Sequence, residues 1–321
     1  MIKSYLFTQD EVKEDVPLDE WRSLVKGDCA LLWIDARAIS REDMNLLAEK
    51  FGLHNFAVRS CLDEFTRPHV YEFSDHLYAN MTTIEKDGDH GIRPAELNLF
   101  AGGKFIITAA KTAESPAVDE ALEEYKETPG LCARGPMYAI YLLAEYLVET
   151  YFPVVEKMDD DADGLEDDML NRADKQSLQR LFDAKRRVFE VRRLLGPQRD
   201  IFSELGRRDF DFLEGENRIY FQDAYSKMIR IFDMLDTIRE ILSGSLDVYL
   251  SSVSNRLNEI VKVLTVASII LMTLSFITGF YGMNFTHLPW LHAPNAFRNA
   301  IILMAAIVAV MLVWFRRKGW I

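Results

Sequence analysis

Residues 263–297 contain no Asp, Glu, Lys or Arg, and after Arg298 the run 299–315 is uncharged again. Little else restricts the fold as strongly. The helical stretches 263–281 (VLTVASIILMTLSFITGFY) and 299–315 (NAIILMAAIVAVMLVWF) are each near the roughly 20 residues an α-helix needs to cross about 30 Å of hydrocarbon. The pattern predicts two membrane spans, in preference to two buried helices of a soluble core. Neither stretch is placed like a signal peptide, since no apolar run opens the chain.

Arg256 and Lys262 precede the first stretch, and Arg316, Arg317 and Lys318 follow the second. Positive flanks favour the cytoplasmic side. Both termini are therefore expected inside a cell inner or plasma membrane, with the loop of about residues 285–297 facing outward. Residues 256–321 carry six basic residues and one acid, so of the formal net charge of -13 the first 255 residues hold -18. The chain average of 27% charged and 12% aromatic residues excludes a many-span carrier and a disordered chain, but it hides this partition.

Three regions are expected: an α/β domain at 1–135, a helical stalk region at 136–255 and a membrane region at 256–321. In the first, strand-like runs at 2–7, 30–34, 77–84, 96–100 and 104–108 alternate with helical patterns such as 41–51. Ala101-Gly102-Gly103 between the last two runs is a hairpin signal. No GxGxxG or GxxxxGK[ST] follows a strand, so nucleotide binding has no support. Cys29, Cys61 and Cys132 form no CxxC pair; neither a disulfide framework nor a zinc knuckle is indicated, and the thiols are expected to be reduced and buried. From Pro136 the pattern is helical: one long segment to about 170, a second at 175–205 and a third beginning near 216. In the third, Met228, Ile231, Leu235, Ile238, Leu242, Leu246, Tyr249, Val253, Leu257, Ile260 and Leu264 recur every three or four residues into the first span. A continuous helix over 216–281 would measure roughly 100 Å, a stalk whose stripe packs on neighbouring helices, copies of itself included.

Asp159, Asp161, Asp163 and Gly164 match the first half of a calcium loop, but the twelfth position, where a bidentate Glu is required, is Leu170. A solvated acidic helix face fits better. The histidines form no close helical ligand pair; His287 and His292, in the outward loop, are the two with a conceivable role toward a soft cation. Within the first span, Thr265, Ser268, Thr273, Ser275, Thr278 and Gly279 are residues lipid does not favour. Hydroxyls often bond back to helix carbonyls. Yet Ser268, Met272, Ser275 and Gly279 share one face at spacings of four, three and four, which suits a pore or a tight helix contact. Two spans cannot enclose a pathway, so transport requires an oligomer.

The first span closes on Tyr281-Gly282-Met283-Asn284. This quartet between two C-terminal spans resembles the signature of the CorA family of divalent-cation channels. The likeness extends to residues 251–265 (SSVSNRLNEIVKVLT) and the tail FRRKGW at 315–320, and more weakly over the whole cytoplasmic part. It implies an α+β cytoplasmic domain, long stalk helices and two C-terminal transmembrane helices in a funnel-shaped homopentamer. It further implies a selectivity filter at Gly282, Met283 and Asn284, in which Asn284 offers a ring of amide oxygens to the water shell of a hydrated ion, since magnesium dehydrates reluctantly. The pore positions carried over are Asn258, Val261, Leu264, Ser268, Met272, Ser275 and Gly279, with Val261, Leu264 and Met272 as hydrophobic constrictions. Lys262 and Arg316, Arg317 and Lys318 would surround the inner mouth. Regulatory magnesium, bridging neighbouring subunits in the family, would meet Asp223, Glu85 and Glu145.

Two departures from the family pattern stand out. Leu288-Pro289-Trp290 keeps a common proline but loses an acid, leaving residues 285–297 without a carboxylate, and Thr273 replaces a mid-span proline. The resulting expectation is Mg2+ influx, with Co2+ or Ni2+ as co-substrates, gated by cytoplasmic Mg2+ and needing no cofactor or nucleic-acid partner. Zinc transport with proton coupling, and a non-conducting membrane metal sensor, remain the alternatives. An enzyme has no nucleophile, base or cofactor motif behind it.

Overall fold

The structure, a computed structural model, describes residues 1–27, 29–63, 67–87, 91–128, 130–171, 174–207, 218–283 and 295–320. The chain divides into two compact units, Met1–Glu166 with Gln179–Ser243, and Asp167–Leu178 with Gly244–Ile321.

The first unit is built on a sheet of β1 (Ile2–Thr8), β2 (Val12–Glu14), β3 (Ala30–Arg37), β4 (His69–Glu72), β5 (His76–Asp87), β6 (Gly91–Gly102) and β7 (Phe105–Ala110), ordered β2-β1-β3-β7-β6-β5-β4. Only β3 and β7 run parallel, Leu32 opposite Phe105 and Arg37 opposite Ala110; the other neighbours are antiparallel. Every residue of β7 and all of β3 but Arg37 is buried. That follows from their near-continuous apolar sequence, ALLWIDAR and FIITAA, which suits strands covered on both faces. The β6–β7 hairpin turns where expected. Gly102 pairs with Phe105 across it, and a side chain at Gly102 would collide with the Phe105 ring.

Helices α1 (Trp21–Leu24), α2 (Arg41–Phe51) and α3 (Asn55–Leu62) follow β2 and β3. Helix α2 begins and ends where the sequence predicts: Ser40 and Asp43 form a reciprocal capping box and Gly52 closes it at φ 72°. Its Met44, Leu47 and Phe51 join Leu32, Ile34, Tyr78, Phe100 and Ile107 in one core. After α4 (Pro116–Glu127), the predicted single segment to about 170 is two helices, α5 (Gly135–Glu149) and α6 (Phe152–Asn171). Pro153, in the first turn of α6, has no N–H to continue α5. Tyr151, between them, is fully buried and donates its hydroxyl to Thr82 O on β5. Helix α7 (Lys175–Leu205) matches its predicted span, and Gln198 on it accepts the Thr82 backbone N–H at 3.0 Å.

Helix α8 (Arg218–Tyr281, 64 residues) is about 96 Å long at 1.5 Å per residue. In the first unit its Phe221, Ala224, Met228, Ile231, Leu235, Ile238 and Leu242 are buried. Helix α9 (Ala296–Arg317) completes the second unit. The most apolar windows of α8 and α9 are 6% and 0% buried. A core helix of a soluble protein would be mostly covered, so both have the exposure expected of helices facing lipid or further chains.

The cysteine expectation fails. Cys29 and Cys132 form a disulfide, Cα atoms 5.5 Å apart, and only Cys61 is free and buried. Sequence spacing does not reveal which cysteines meet when 103 positions separate them. Strands β2 and β4 were not anticipated. The acidic run 159–168 is helical, within α6.

Candidate functional site

The seven proposed pore positions, Asn258, Val261, Leu264, Ser268, Met272, Ser275 and Gly279, are all exposed on α8. Met272 is 72% accessible. At 100° per residue they group on one side of the helix. Most of the less accessible residues, Val266 (buried), Ile270, Thr273, Leu274, Ile277 and Tyr281, lie on roughly the opposite side, while half-buried Thr265 falls beside the pore positions. Helix α8 therefore has a covered face and a face with no partner among the described residues.

The threonine hydroxyls of this stretch bond within the helix. Thr265, Thr273 and Thr278 donate back to carbonyls one turn earlier, at Val261 (2.7 Å), Ile269 (2.9 Å) and Leu274 (3.1 Å). Such bonds satisfy the O–H donor within the helix and leave only the oxygen lone pairs for other contacts. Among the described residues, the Ser268 and Ser275 hydroxyls of the exposed face make no bond of this kind.

Helix α8 ends on Gly282, whose N–H donates to Thr278 O at 2.9 Å. A Cβ at Gly282 would stand 3.1 Å from that same oxygen, which explains the glycine by close approach. Met283, with its N–H 3.4 Å from Phe280 O, is 48% exposed. Asn284, His287, His292 and the Leu288-Pro289-Trp290 segment lie outside the described residues.

The basic positions of the tail have a clear local cause. Lys318 caps α9 and Gly319 follows at φ 69°, allowing Trp320 N–H to reach Phe315 O at 3.0 Å. Trp320 packs its ring 5.8 Å from that of buried Phe315. This left-handed helix stop accounts for the FRRKGW tail. It leaves Arg316, Arg317 and Lys318 exposed at the negative end of the helix dipole, where cations are favoured. Lys262 is exposed as well.

Of the three proposed regulatory acids, the structure brings two together. Lys227 Nζ lies 2.9 Å from Glu145 and 2.8 Å from Glu149, both on α5, and 3.9 Å from Asp223, one turn before it on α8. Burial opposes the Lys227 charge, yet the hydrogen bonds it donates to Glu149 and Glu145 push its pKa up overall. Burial, then the hydrogen bond to Glu145, raises the neighbouring Tyr141 phenol. A tethered ammonium thus sits among these carboxylates, a feature the sequence reading missed although Asp223 and Lys227, like Glu145 and Glu149, stand four apart. The backbone of Glu85 pairs with Arg93 across β5 and β6; its side chain lies outside the described residues. No group of three or more His, Cys, Asp and Glu within the described residues of one chain is arranged to hold a metal ion. In the acidic run, Asp161 meets Arg187 at 3.5 Å.

The family model described as "CorA-like Mg2+ transporter protein" matches residues 28–317. The cobalt/magnesium transport protein CorA of Thermotoga maritima is 34% identical over 292 residues, covering 90% of this chain and 83% of that protein. The complete structure of the CorA magnesium transporter from Methanocaldococcus jannaschii superposes with a TM-score of 0.82 at 24% identity, covering 100% of this chain and 99% of the other. A more distant likeness, 24% identity over 83% of this chain and 80% of the relative, is to the zinc transport protein ZntB of Pectobacterium carotovorum.

Proposed function

The chain belongs to the CorA-like Mg2+ transporter family, and we propose that it is a homopentameric divalent-cation channel that passes hydrated Mg2+ into the cell. The observation that carries this reading is the exposed face of α8 from Asn258 to Gly279, which runs unpartnered to the Gly282–Met283 turn. A helix that only anchors the chain has no use for two unbonded serines and a glycine on one face. Five copies turning this face inward would line a conduit. Val261, Leu264 and Met272 would then form rings able to close it by dewetting, and Asn284 would form the outer filter.

Inward passage follows the membrane potential, worth about 4.6 kcal/mol per divalent ion per 100 mV. In this reading both termini are cytoplasmic, and Lys262, Arg316, Arg317 and Lys318 ring the inner mouth. Five cytoplasmic parts of -18 each repel one another. Mg2+ at Asp223, Glu145 and Glu85 would offset that repulsion and favour the closed ring, in competition with Lys227 for Asp223 and Glu145. Co2+ and Ni2+ are the expected co-substrates. The likeness to ZntB is the observation behind zinc as an alternative cargo.

Purified protein in vesicles, tested with Mg2+, Co2+, Ni2+ and Zn2+ with and without a pH gradient, separates these readings. Mg2+ flux indifferent to the gradient is expected. Zinc flux that follows the gradient, with little Mg2+ flux, would replace the assignment.

A further inference from the structure

The Cys29–Cys132 bond joins two parts of the first unit that bear on the stalk. Cys29 immediately precedes β3, the strand between β1 and β7. Cys132 lies in the 3-10 turn Leu131–Arg134, which feeds α5 through Gly135 at φ 75°. Helix α5 carries Glu145 and Glu149, the carboxylates that hold Lys227 of α8. The disulfide therefore fixes the entry of the helix that grips the stalk to the middle of the sheet.

A permanent staple is out of place here. The basic flanks put this part of the chain in the cytoplasm, where glutathione and thioredoxin keep thiols reduced, and disulfides that do form there are usually transient. Cys29 is partly exposed, whereas Cys132 is 5% accessible. That asymmetry suits an outer attacking cysteine backed by an inner resolving one. Cys61 does not compete for the chemistry: it is 1% accessible, and burial pushes its thiol up to about 12.

We infer that Cys29 and Cys132 are a reversible thiol–disulfide site, oxidised by a low-molecular-mass disulfide such as glutathione disulfide, that locks the entry of α5 onto β3. The Cys29 thiolate attacks one sulfur of the small disulfide and expels the other as a thiolate, giving a mixed disulfide. The Cys132 thiolate then attacks the Cys29 sulfur and expels the second small thiolate. Two electrons pass from the protein to the small molecule, and the two protons lost from the cysteines end on the two released thiols. Excess reduced thiol reverses both steps. The inference rests on the inward placement of this region, but its chemistry is testable without it.

Full-length protein in detergent, equilibrated in glutathione buffers from fully reduced to fully oxidised, tests the site. The fraction bonded is read by alkylation and mass, and the thermal midpoint is measured at each end. The Cys29–Cys132 bond should form in the oxidised buffer and open in the reduced one. Oxidation should raise the midpoint by roughly 5 °C or more, because a long loop is closed. Cys29→Ser and Cys132→Ser should each abolish the shift, and Cys61→Ser should keep it. A bond that survives excess reduced glutathione, or cysteines that stay fully alkylatable in oxidised glutathione, would overturn the inference. If the pair fails to cycle while the same preparation conducts Mg2+ in vesicles, the channel assignment stands and only the redox site is lost.

Discussion

The same residue types live in opposite surroundings in the two units. Around the sheet Leu32, Trp33, Ile34 and Phe100 are 0% accessible, while in the second unit Leu264 is 65%, Met272 72% and Phe276 74% accessible. One helix makes the change within itself. Its apolar stripe is buried from Met228 to Leu242, half-buried at Leu246, Tyr249 and Val253, and exposed at Leu257, Ile260 and Leu264. The spacing never alters. What alters is the supply of partners inside one chain, so the first region is stabilised by its own packing, whereas the exposed face of the second finds no such cover among the described residues.

That contrast is broken most severely in the core. Phe100→Ala removes a fully buried ring from the cluster shared with Tyr78 and Phe51 and should destabilise the first unit by about 3–5 kcal/mol, read as a lowered thermal midpoint of the full-length protein. Met272→Ala deletes a comparable volume from the open face of α8 and should leave that midpoint nearly unchanged, within about 0.5 kcal/mol. In vesicles it should speed Mg2+ flux, because a hydrophobic ring is widened. A large stability loss from Met272→Ala would mean that its face is tightly packed, within the chain or between copies, and is not open.

The smallest expected effect concerns pH. Burial pushes the Asp35 carboxyl up, against Arg37 and Thr108, which lower it. The folded state thus holds this proton more tightly than the unfolded chain does. The resulting stability is fully present below the ordinary carboxylate range and is lost as pH rises through the folded value. Thermal midpoints measured between about pH 4 and 7 should show that fall, and Asp35→Asn should flatten it. An unchanged slope would assign the pH dependence to other groups.

Much of this was legible beforehand because it rests on local rules. The two charge-free runs gave the spans, strand-like runs gave the five longer strands, and the helical pattern of 41–51 gave α2, whose ends the structure explains by Ser40, Asp43 and Gly52. Strands β2 and β4 were not legible, being short and carrying Lys13, Glu14, His69 and Glu72, which resemble loop composition. The break between α5 and α6 was present in Pro153 but masked by apolar periodicity running through it. Long-range meetings were beyond reach: Cys29 with Cys132, Gln198 with Thr82, and Lys227 with Glu145 each need the sheet and helices placed first. At the candidate site, spacing found the exposed face of α8, whereas the filter assignment at Asn284 came from resemblance and falls outside the described residues.

Asn284 is accordingly where the account is most directly tested. Wild-type protein and Asn284→Ala, purified as the full chain and reconstituted in parallel at matched oligomeric state, are compared for Mg2+ flux driven by an inside-negative potential. The account predicts selective flux in the wild type and its loss in the variant. Selective Mg2+ flux retained by Asn284→Ala, or none from a correctly assembled wild type, would contradict it.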